Sequence, residues 1–367
     1  MLKRLKTIAI PLVLITSMLF LIHYFIFVVS TRTVDTNDPL FSLIFYGLMS
    51  GVLLMPIGLI FSMSPLKKIL FPITMLSYLW MGFFFISWTY ALIEFVVSMF
   101  WPHSNSLWIF AASSITTFWA LYNGSRLPRV VTYKMNGPSS IIGFRLLQIT
   151  DLHVGMPFLN RAWLLKVIQK INKTDSDVVV ITGDLVDDNF VRVSPMLDDL
   201  KDVKAKKEKF YVTGNHEYIR IGDWESYLKS LTFKVLHNSN AVVAFKTSKI
   251  LIAGIPDRMV SRFDKTKSSQ PDMALLTKED TDFRILLAHE PSSVFDIKKE
   301  KCDLILSGHT HGGQIFPFGI FVRIVQPVVK GFKVVNGFRI FAHQGTGYWG
   351  PPMRWFTRSE IAVFEWV

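Results

Sequence analysis

The run SGHTHGGQ at 307–314 places His309 and His311 two residues apart among glycines. In an extended segment, side chains at i and i+2 point the same way, so two imidazoles can converge on one point. Four other short runs carry groups of the same kind: DLH (Asp151, His153), GDLVD (Gly183, Asp184, Asp187), GNHE (Gly214, Asn215, His216, Glu217) and HEP (His289). The chemistry open to carboxylates, imidazoles and a carboxamide is metal ligation or proton transfer. Asp151, His153, Asp184, Asn215, His289, His309 and His311 make an oxygen and nitrogen donor set without thiolate. It suits Mn²⁺, Fe or Zn²⁺ and is unlike a structural four-cysteine zinc site. Seven donors exceed the needs of one tetrahedral ion; they fit two ions sharing a bridging carboxylate, with positions open to water and substrate.

Taken singly, these residues have ordinary explanations. Asp151 reads as a cap or turn residue, Asn215 as a turn residue, and His289 as a satisfied histidine at a strand end. Their shared context outweighs those readings, because each run follows a segment that reads as a strand. FRLLQIT (144–150) precedes DLH, DVVVIT (177–182) precedes GDLVD, and KFYVT (209–213) precedes GNHE. FRILLA (283–288) precedes His289, and DLILS (303–307) precedes the histidine pair. Sites in open α/β sheets form beyond the carboxyl ends of strands, so five such ends can meet in space. The glycines before Asp184, Asn215 and His309 permit tight turns and close backbone approach. Asp187 and Glu217 read as groups that orient ligands, and His237 and His343, which lack a motif, as structural or surface residues.

Helical patterns alternate with the strands. NRAWLLKVIQKIN (160–172) reads as an amphipathic helix opened by an asparagine cap, and further helices are expected near 195–203 and 223–231. AVVAF (241–245) and ILIAGI (250–255) read as a hairpin, and the end of the chain (RIFAH, EIAVFEWV) is β-rich. Residues 141–367 therefore read as a layered α/β domain, with a mixed sheet or a pair of packed sheets flanked by helices. Turn signals NGS, LP and NGP mark 123–140 as a linker.

The first 122 residues are of another kind. Residues 8–29 carry no Lys, Arg, Asp or Glu over 22 positions, enough at ~1.5 Å per residue to cross a hydrocarbon core of roughly 30 Å. A signal peptide opened by Lys3, Arg4 and Lys6 fits less well, because no small-residue cleavage site follows and further apolar runs do. Those runs, at 40–61, about 69–93 and 107–122, give an expected total of four transmembrane helices. Lys and Arg in the flanks alternate: three before the first helix, Arg32 after it, Lys67 and Lys68 after the second, none after the third, and Arg126, Arg129 and Lys134 after the fourth. By the positive-inside rule this places both ends, and the domain after residue 123, in the cytoplasm at the inner (cell) membrane. Glu94, the single acid within the runs, is expected at a helix end, solvated.

Residues 123–367 hold 34 Lys and Arg against 25 Asp and Glu. The excess favours an anionic partner such as a phosphate-bearing lipid or the acidic leaflet. Nucleic acid is not expected, since no groove-reading module or basic-aromatic sheet motif is present. The solitary Cys302 forms no internal disulfide and suits a reducing compartment.

The series DLH, GDLVD, GNHE, AHEP and GHTHGGQ resembles the calcineurin-like metallophosphoesterase superfamily over about 150–315. The tail GTGYWGPPMRWFTRSEIAVFEW resembles that family's closing segment. The resemblance implies two packed mixed sheets flanked by helices and a two-metal hydrolase. In it, Asp151, His153 and His311 bind one ion, Asn215, His289 and His309 bind the other, Asp184 bridges them, and His216 is catalytic without being a ligand. Asp187 is followed by Asp188 and Asn189, where protein phosphatases of the superfamily carry Arg-Gly, which points away from protein dephosphorylation. The membrane-anchored form is similar to the bacterial branch that includes UDP-2,3-diacylglucosamine pyrophosphatases.

Two cations roughly 3.5–4 Å apart neutralise phosphoryl oxygens, clamp in-line geometry and lower the pKa of a bound water. On that template a bridging hydroxide attacks phosphorus, and His216 stabilises developing charge or protonates the leaving oxygen. The leading expectation is a membrane-bound phosphohydrolase acting on a phosphoester or pyrophosphate of a lipid-linked substrate. The alternatives are a phosphodiesterase for a soluble nucleotide and a metal-binding sensor without turnover. Beside the site, QIFPFGIFVRIVQPVVKGF (314–332) is strongly apolar with Arg323 and Lys330 interspersed. It reads either as a surface for acyl chains or membrane, or as a pair of core strands.

Overall fold

The computed structural model describes residues 2–62, 64, 66, 69–219, 222–264 and 267–367, with side chains from residue 13 onward. Lys67 and Lys68 of the charge count lie outside these residues, as do the side chains of Lys3, Arg4 and Lys6. The chain forms two compact units. One is Met1–Tyr122 with Ile315–Pro317 and Gly350–Met353; the other is Asn123–Gln314, Phe318–Trp349 and Arg354–Val367.

The first unit is helical: α1 (Leu2–Thr31), α2 (Pro39–Ser62), α3 (Phe71–Phe100) and α4 (Trp108–Ser125, whose last turn passes into the second unit). Ile26, Leu48, Val52, Phe84, Ala91 and Ile109 pack inside it, while Leu14, Leu21, Leu43, Leu53, Ile60 and Leu76 are exposed. Helices apolar on the outward face as well as the inward one belong in a lipid solvent. Among the described residues, three spans are long and apolar enough to cross a membrane: Val13–Thr31, Pro39–Ser62 and Phe71–Phe100. The expected fourth, α4, has 18 residues and carries Ser113, Ser114, Thr116, Thr117 and Asn123. It reaches roughly 27 Å at ~1.5 Å per residue, short of a full core, and is more polar than the others.

Glu94 corrects its expectation. It is buried, and its carboxylate accepts from Arg32 Nη2 at 2.6 Å, Ser104 Oγ at 2.8 Å and Trp108 Nε1 at 2.7 Å. Arg32 also donates to Ser106 Oγ and the Pro102 carbonyl, so a buried charge has its counter-ion and its hydrogen bonds.

The second unit carries β1 (Arg129–Met135), β2 (Arg145–Ile149), α5 (Arg161–Asn172), β3 (Val178–Thr182), α6 (Phe190–Leu197), β4 (Glu208–Val212), α7 (Asn215–Ile219), α8 (Trp224–Ser230) and β5 (Lys234–Val235). It continues with β6 (Ser239–Phe245), β7 (Ser248–Gly254), α9 (Val260–Phe263), α10 (Pro271–Leu275), β8 (Phe283–Leu287), β9 (Leu304–Ser307), α11 (Phe318–Val325), β10 (Gly331–Val335), β11 (Phe338–Ala342) and β12 (Glu360–Trp366). Two six-stranded mixed sheets result, β1-β12-β2-β3-β4-β5 and β10-β11-β9-β8-β7-β6. Leu146, Val178, Phe210, Ile252, Ile285, Leu306, Phe341 and Phe364 fill the space between them. Leu164, Ile168, Val193 and Leu228 of α5, α6 and α8 cover the first sheet's outer face, and Ala274 and Leu275 of α10 cover the second's. All five residues of β3 are buried, as a β-branched run between two apolar layers requires.

Residues 129–135, expected within a linker, are instead an edge strand paired in parallel with β12 from Arg129↔Glu360 to Met135↔Trp366. The helix expected near 195–203 starts earlier, at Phe190, where the Asn189 side chain accepts from Arg192 N; only a 3₁₀ turn occupies Asp198–Asp202. The apolar segment after the histidine pair is not a pair of core strands: its centre is the helix α11, and only Gly331–Val335 is strand.

Candidate metal centre

In the first sheet β2, β3 and β4 run parallel, and in the second β8, β9 and β11 do. The carboxyl ends of β2, β3, β4, β8 and β9 deliver the donor residues. The loops after them are stitched together by backbone bonds: Asp151 N donates to Gly183 O, His153 N to Asp184 O, Gly308 N to His289 O, and Gly347 N to Asp151 O. Asp151 also accepts from His309 N at 3.0 and 3.2 Å, joining the two sheets' loops directly. Gly214 shows why side-chain-free backbone is needed, since a Cβ there would lie 2.2 Å from Asp184 Oδ1.

All seven sequence-selected donors come together. Asp151, His153 and His311 form one triplet and Asp184, His289 and His309 another, each with donor atoms within 4.8 Å of one another. Asn215 joins the second, its Oδ1 3.1 Å from His309 Nδ1. Asp184 Oδ2 lies 3.2 Å from His289 Nε2 and 3.9 Å from His153 Nε2, so one carboxylate oxygen faces an imidazole of each triplet. His216 stands at the same place, its Nε2 3.9 Å from Asp184 Oδ2.

These residues fit divalent cations on the structure's own terms. His153 Nε2 and His311 Nε2 face each other at 3.1 Å, an arrangement of two basic nitrogens that calls for a cation or proton between them. His289 Nδ1 donates to the Thr182 carbonyl at 2.7 Å, which turns Nε2 toward Asp184 Oδ2 at 3.2 Å; burial opposes the charged form of His289, yet that carboxylate holds its pKa well above the usual imidazole value. Burial holds His153 down to about 3 and His309 to about 4, the neutral state that ligation requires. Burial pushes Asp184 the other way, but the imidazoles of His289 and His216 outweigh it and hold the carboxyl well below its usual range.

Asp187 reaches both remaining rings from the side away from Asp184: its Oδ1 is 3.2 Å from His216 Nδ1 and its Oδ2 3.6 Å from His153 Nδ1. His216 is thereby turned with Nε2 toward the centre. Burial opposes its charged form, yet Asp184 and Asp187 raise its pKa to about 9. Glu217 accepts backbone N–H groups from Asp184 at 3.1 Å, Leu185 at 2.7 Å and Gly214 at 2.6 Å, so it clamps the loops after β3 and β4.

Three contributors lie outside the five donor runs, two of them, Trp349 and Arg354, in the tail that resembles the family's closing segment. Arg354 is fully buried and donates to the carbonyls of His311, Gly345 and Gly347. His343 is buried too, with Nδ1 accepting from Gly345 N at 2.9 Å. Trp349 places its ring centroid 6.1 Å from that of His216 and is partly exposed at the mouth. The two-residue alternation that flags the histidine pair has no counterpart around them.

A family model described as calcineurin-like phosphoesterase matches residues 144–313. The chain is 32% identical over 292 residues to an uncharacterized metallophosphoesterase of Helicobacter pylori strain J99, covering 78% of this chain and 77% of that protein. A second Helicobacter pylori relative of the same description, from strain 26695, is 31% identical over 319 residues, 85% of this chain and 83% of that one. A Danio rerio transmembrane protein with metallophosphoesterase domain is 33% identical over 264 residues, covering 68% of this chain and 60% of that protein. With its donor residues gathered at the strand ends and its apolar helices ahead of them, this chain belongs to the calcineurin-like metallophosphoesterases and is a membrane-associated, metal-dependent phosphoesterase.

Proposed function

We propose that the chain hydrolyses a phosphoester or pyrophosphate bond of a lipid-linked substrate at the cytoplasmic face of the cell membrane, using two divalent ions, Mn²⁺, Fe or Zn²⁺. Asp151, His153 and His311 hold one ion, Asn215, His289 and His309 the other, and Asp184 is shared. The observation that carries this reading is the position of Asp184 Oδ2 between His153 Nε2 and His289 Nε2, one from each triplet. Divalent ions held by these residues would neutralise phosphoryl oxygens and lower the pKa of a bound water.

The chain's own residues do the rest. Asp187 fixes the His216 ring through Nδ1, leaving Nε2 free to give a proton to the leaving oxygen or to stabilise charge on the phosphoryl group. Glu217 and Arg354 hold the loops so that the donors keep their spacing. Support for the membrane side comes from the three apolar spans. The alternation of Lys and Arg favours α4 as a fourth, shorter crossing with the metal centre in the cytoplasm.

The test is to reconstitute the full chain in nanodiscs, load Mn²⁺, and measure phosphate release from lipid phosphates, lipid pyrophosphates and soluble nucleotides. Preference for the lipid-linked esters is expected. Hydrolysis confined to soluble nucleotides would replace the substrate class, and metal-loaded protein that cleaves none of them would leave a binding role only.

A further inference from the structure

The helix α11 begins four residues after Gln314, on the chain that has just supplied His309 and His311. Its sequence is FGIFVRIV, and none of its residues is buried. Ile320 is 55% exposed, Ile324 78% and Val325 71%, and Phe318 and Phe321 are exposed as well. A soluble domain does not leave so dense a run of large apolar side chains in water without a use for it.

The helix is attached by its small face. Gly319 sits against Gly313, so close that a Cβ on Gly313 would lie 2.5 Å from the Gly319 Cα. With the glycine turned inward, the aliphatic and aromatic side chains turn outward. Gln314 ties the same region to the mouth of the site, donating from Nε2 to the Trp349 carbonyl at 2.8 Å and accepting from Trp349 N at 3.1 Å. The helix therefore follows, four residues on, a glutamine bonded to the tryptophan that stands beside His216.

Its charge is equally one-sided. From 304 to 359 the chain has no Asp or Glu and six Lys and Arg: Arg323, Lys330, Lys333, Arg339, Arg354 and Arg358. Arg323 lies on α11 itself and is exposed. Lys330 and Lys333 follow it, their ammonium groups donating to the carbonyls of Phe356 and Pro327. Long basic side chains flanking an apolar helix face suit the headgroup layer of an anionic bilayer, where the stem stays in apolar surroundings and the charge meets phosphate. The same chain carries the apolar spans Val13–Thr31, Pro39–Ser62 and Phe71–Phe100, so this unit is tethered to any bilayer they cross.

We propose that α11 is an interfacial helix: its apolar face enters the surface of an anionic bilayer and sets the mouth of the metal centre at the headgroup plane. The meaning of that placement for substrate rests on the hydrolase reading above, whereas the docking itself does not.

The full chain carrying Ile324→Cys, labelled with an environment-sensitive NBD fluorophore, is placed in nanodiscs of phosphatidylcholine alone or with phosphatidylglycerol. The mock-labelled unsubstituted chain gives the background from Cys302. Blue-shifted emission, quenched by doxyl-labelled lipid and more strongly so with phosphatidylglycerol, is expected. The variant Ile320→Ser/Ile324→Ser/Val325→Ser should lose about tenfold in hydrolysis of a lipid phosphate while its rate on a soluble aryl phosphate stays unchanged. Solvent-like, unquenched emission in both lipids overturns the proposal. So does emission shielded by a second copy of the chain, seen as a shift that depends on protein concentration and ignores doxyl lipid. A quenched fluorophore on a chain that hydrolyses nothing supports the docking and removes the hydrolase reading instead.

Discussion

His216 and Asp187 separate two functions that lie within one side chain's reach of each other. His216 Nε2 faces Asp184 without belonging to either donor triplet of the proposed ions, while Asp187 touches the Nδ1 side of both His216 and His153. His216→Ala should therefore lower kcat by about 10²–10⁴ and leave metal content intact, since only proton transfer or charge stabilisation is lost. Asp187→Asn should act on both, because two rings lose their orienting carboxylate; a loss of roughly 10–100-fold in metal affinity or activity is expected. Aryl phosphate turnover together with metal analysis by mass spectrometry distinguishes the pair. Equal metal loss in His216→Ala would make that residue a ligand. The backbone carries the same signature: Asp151, His153, Asp184, His309 and His311 all have φ between 47° and 68°. Each such left-handed residue costs on the order of 1–3 kcal/mol, and this kind of strain concentrates where function requires it.

At the scale of the elements, the position of β3 relative to β4 matters most, because their following loops carry Asp184 and Asn215. Glu217, on α7, binds three N–H groups of those loops with one buried carboxylate. In Glu217→Gln the amide nitrogen cannot accept, so at least one buried N–H loses its partner at a cost of about 1–3 kcal/mol. Thermal denaturation should show Tm falling by roughly 2–4 °C per kcal/mol for a domain of this size; an unchanged Tm would mean that the clamp is dispensable. Such strand ends were readable in the sequence because an apolar run and its polar terminus are local features, as with VVVIT before Gly183 and Asp184. The edge strand β1 was not, since its partner β12 lies more than 200 residues along the chain and RVVTYKM shows no continuous apolar run. Arg354 was legible only as part of the tail that resembles the family's closing segment; its role was not, because its partners are backbone carbonyls, which any sequence supplies. The helix α11 was half legible, its apolar and basic character plain but its period hidden by one glycine and one arginine.

Over the whole molecule, two units with different sources of stability are joined in one chain. The helices α1–α4 rely on apolar faces and on the Arg32–Glu94 pair, none of which involves the donor residues. The second unit instead buries Asp151, Asp184, Asp187 and Glu217 near one another. Like charges brought together in a low-dielectric interior repel, and divalent cations that bind the folded form alone offset this by mass action, about 2.7 kcal/mol at a hundredfold excess over Kd. Exhaustive chelation should therefore lower the melting transition of the second unit by roughly 5–10 °C and leave that of the helical unit in place. Differential scanning calorimetry of the full chain in detergent reads both transitions at once, and adding Mn²⁺ back should restore the one that moved. If the chelator shifted neither, the buried carboxylates would be balanced by the surrounding imidazoles alone. If it shifted both, the helical unit would take part of its stability from the metal centre.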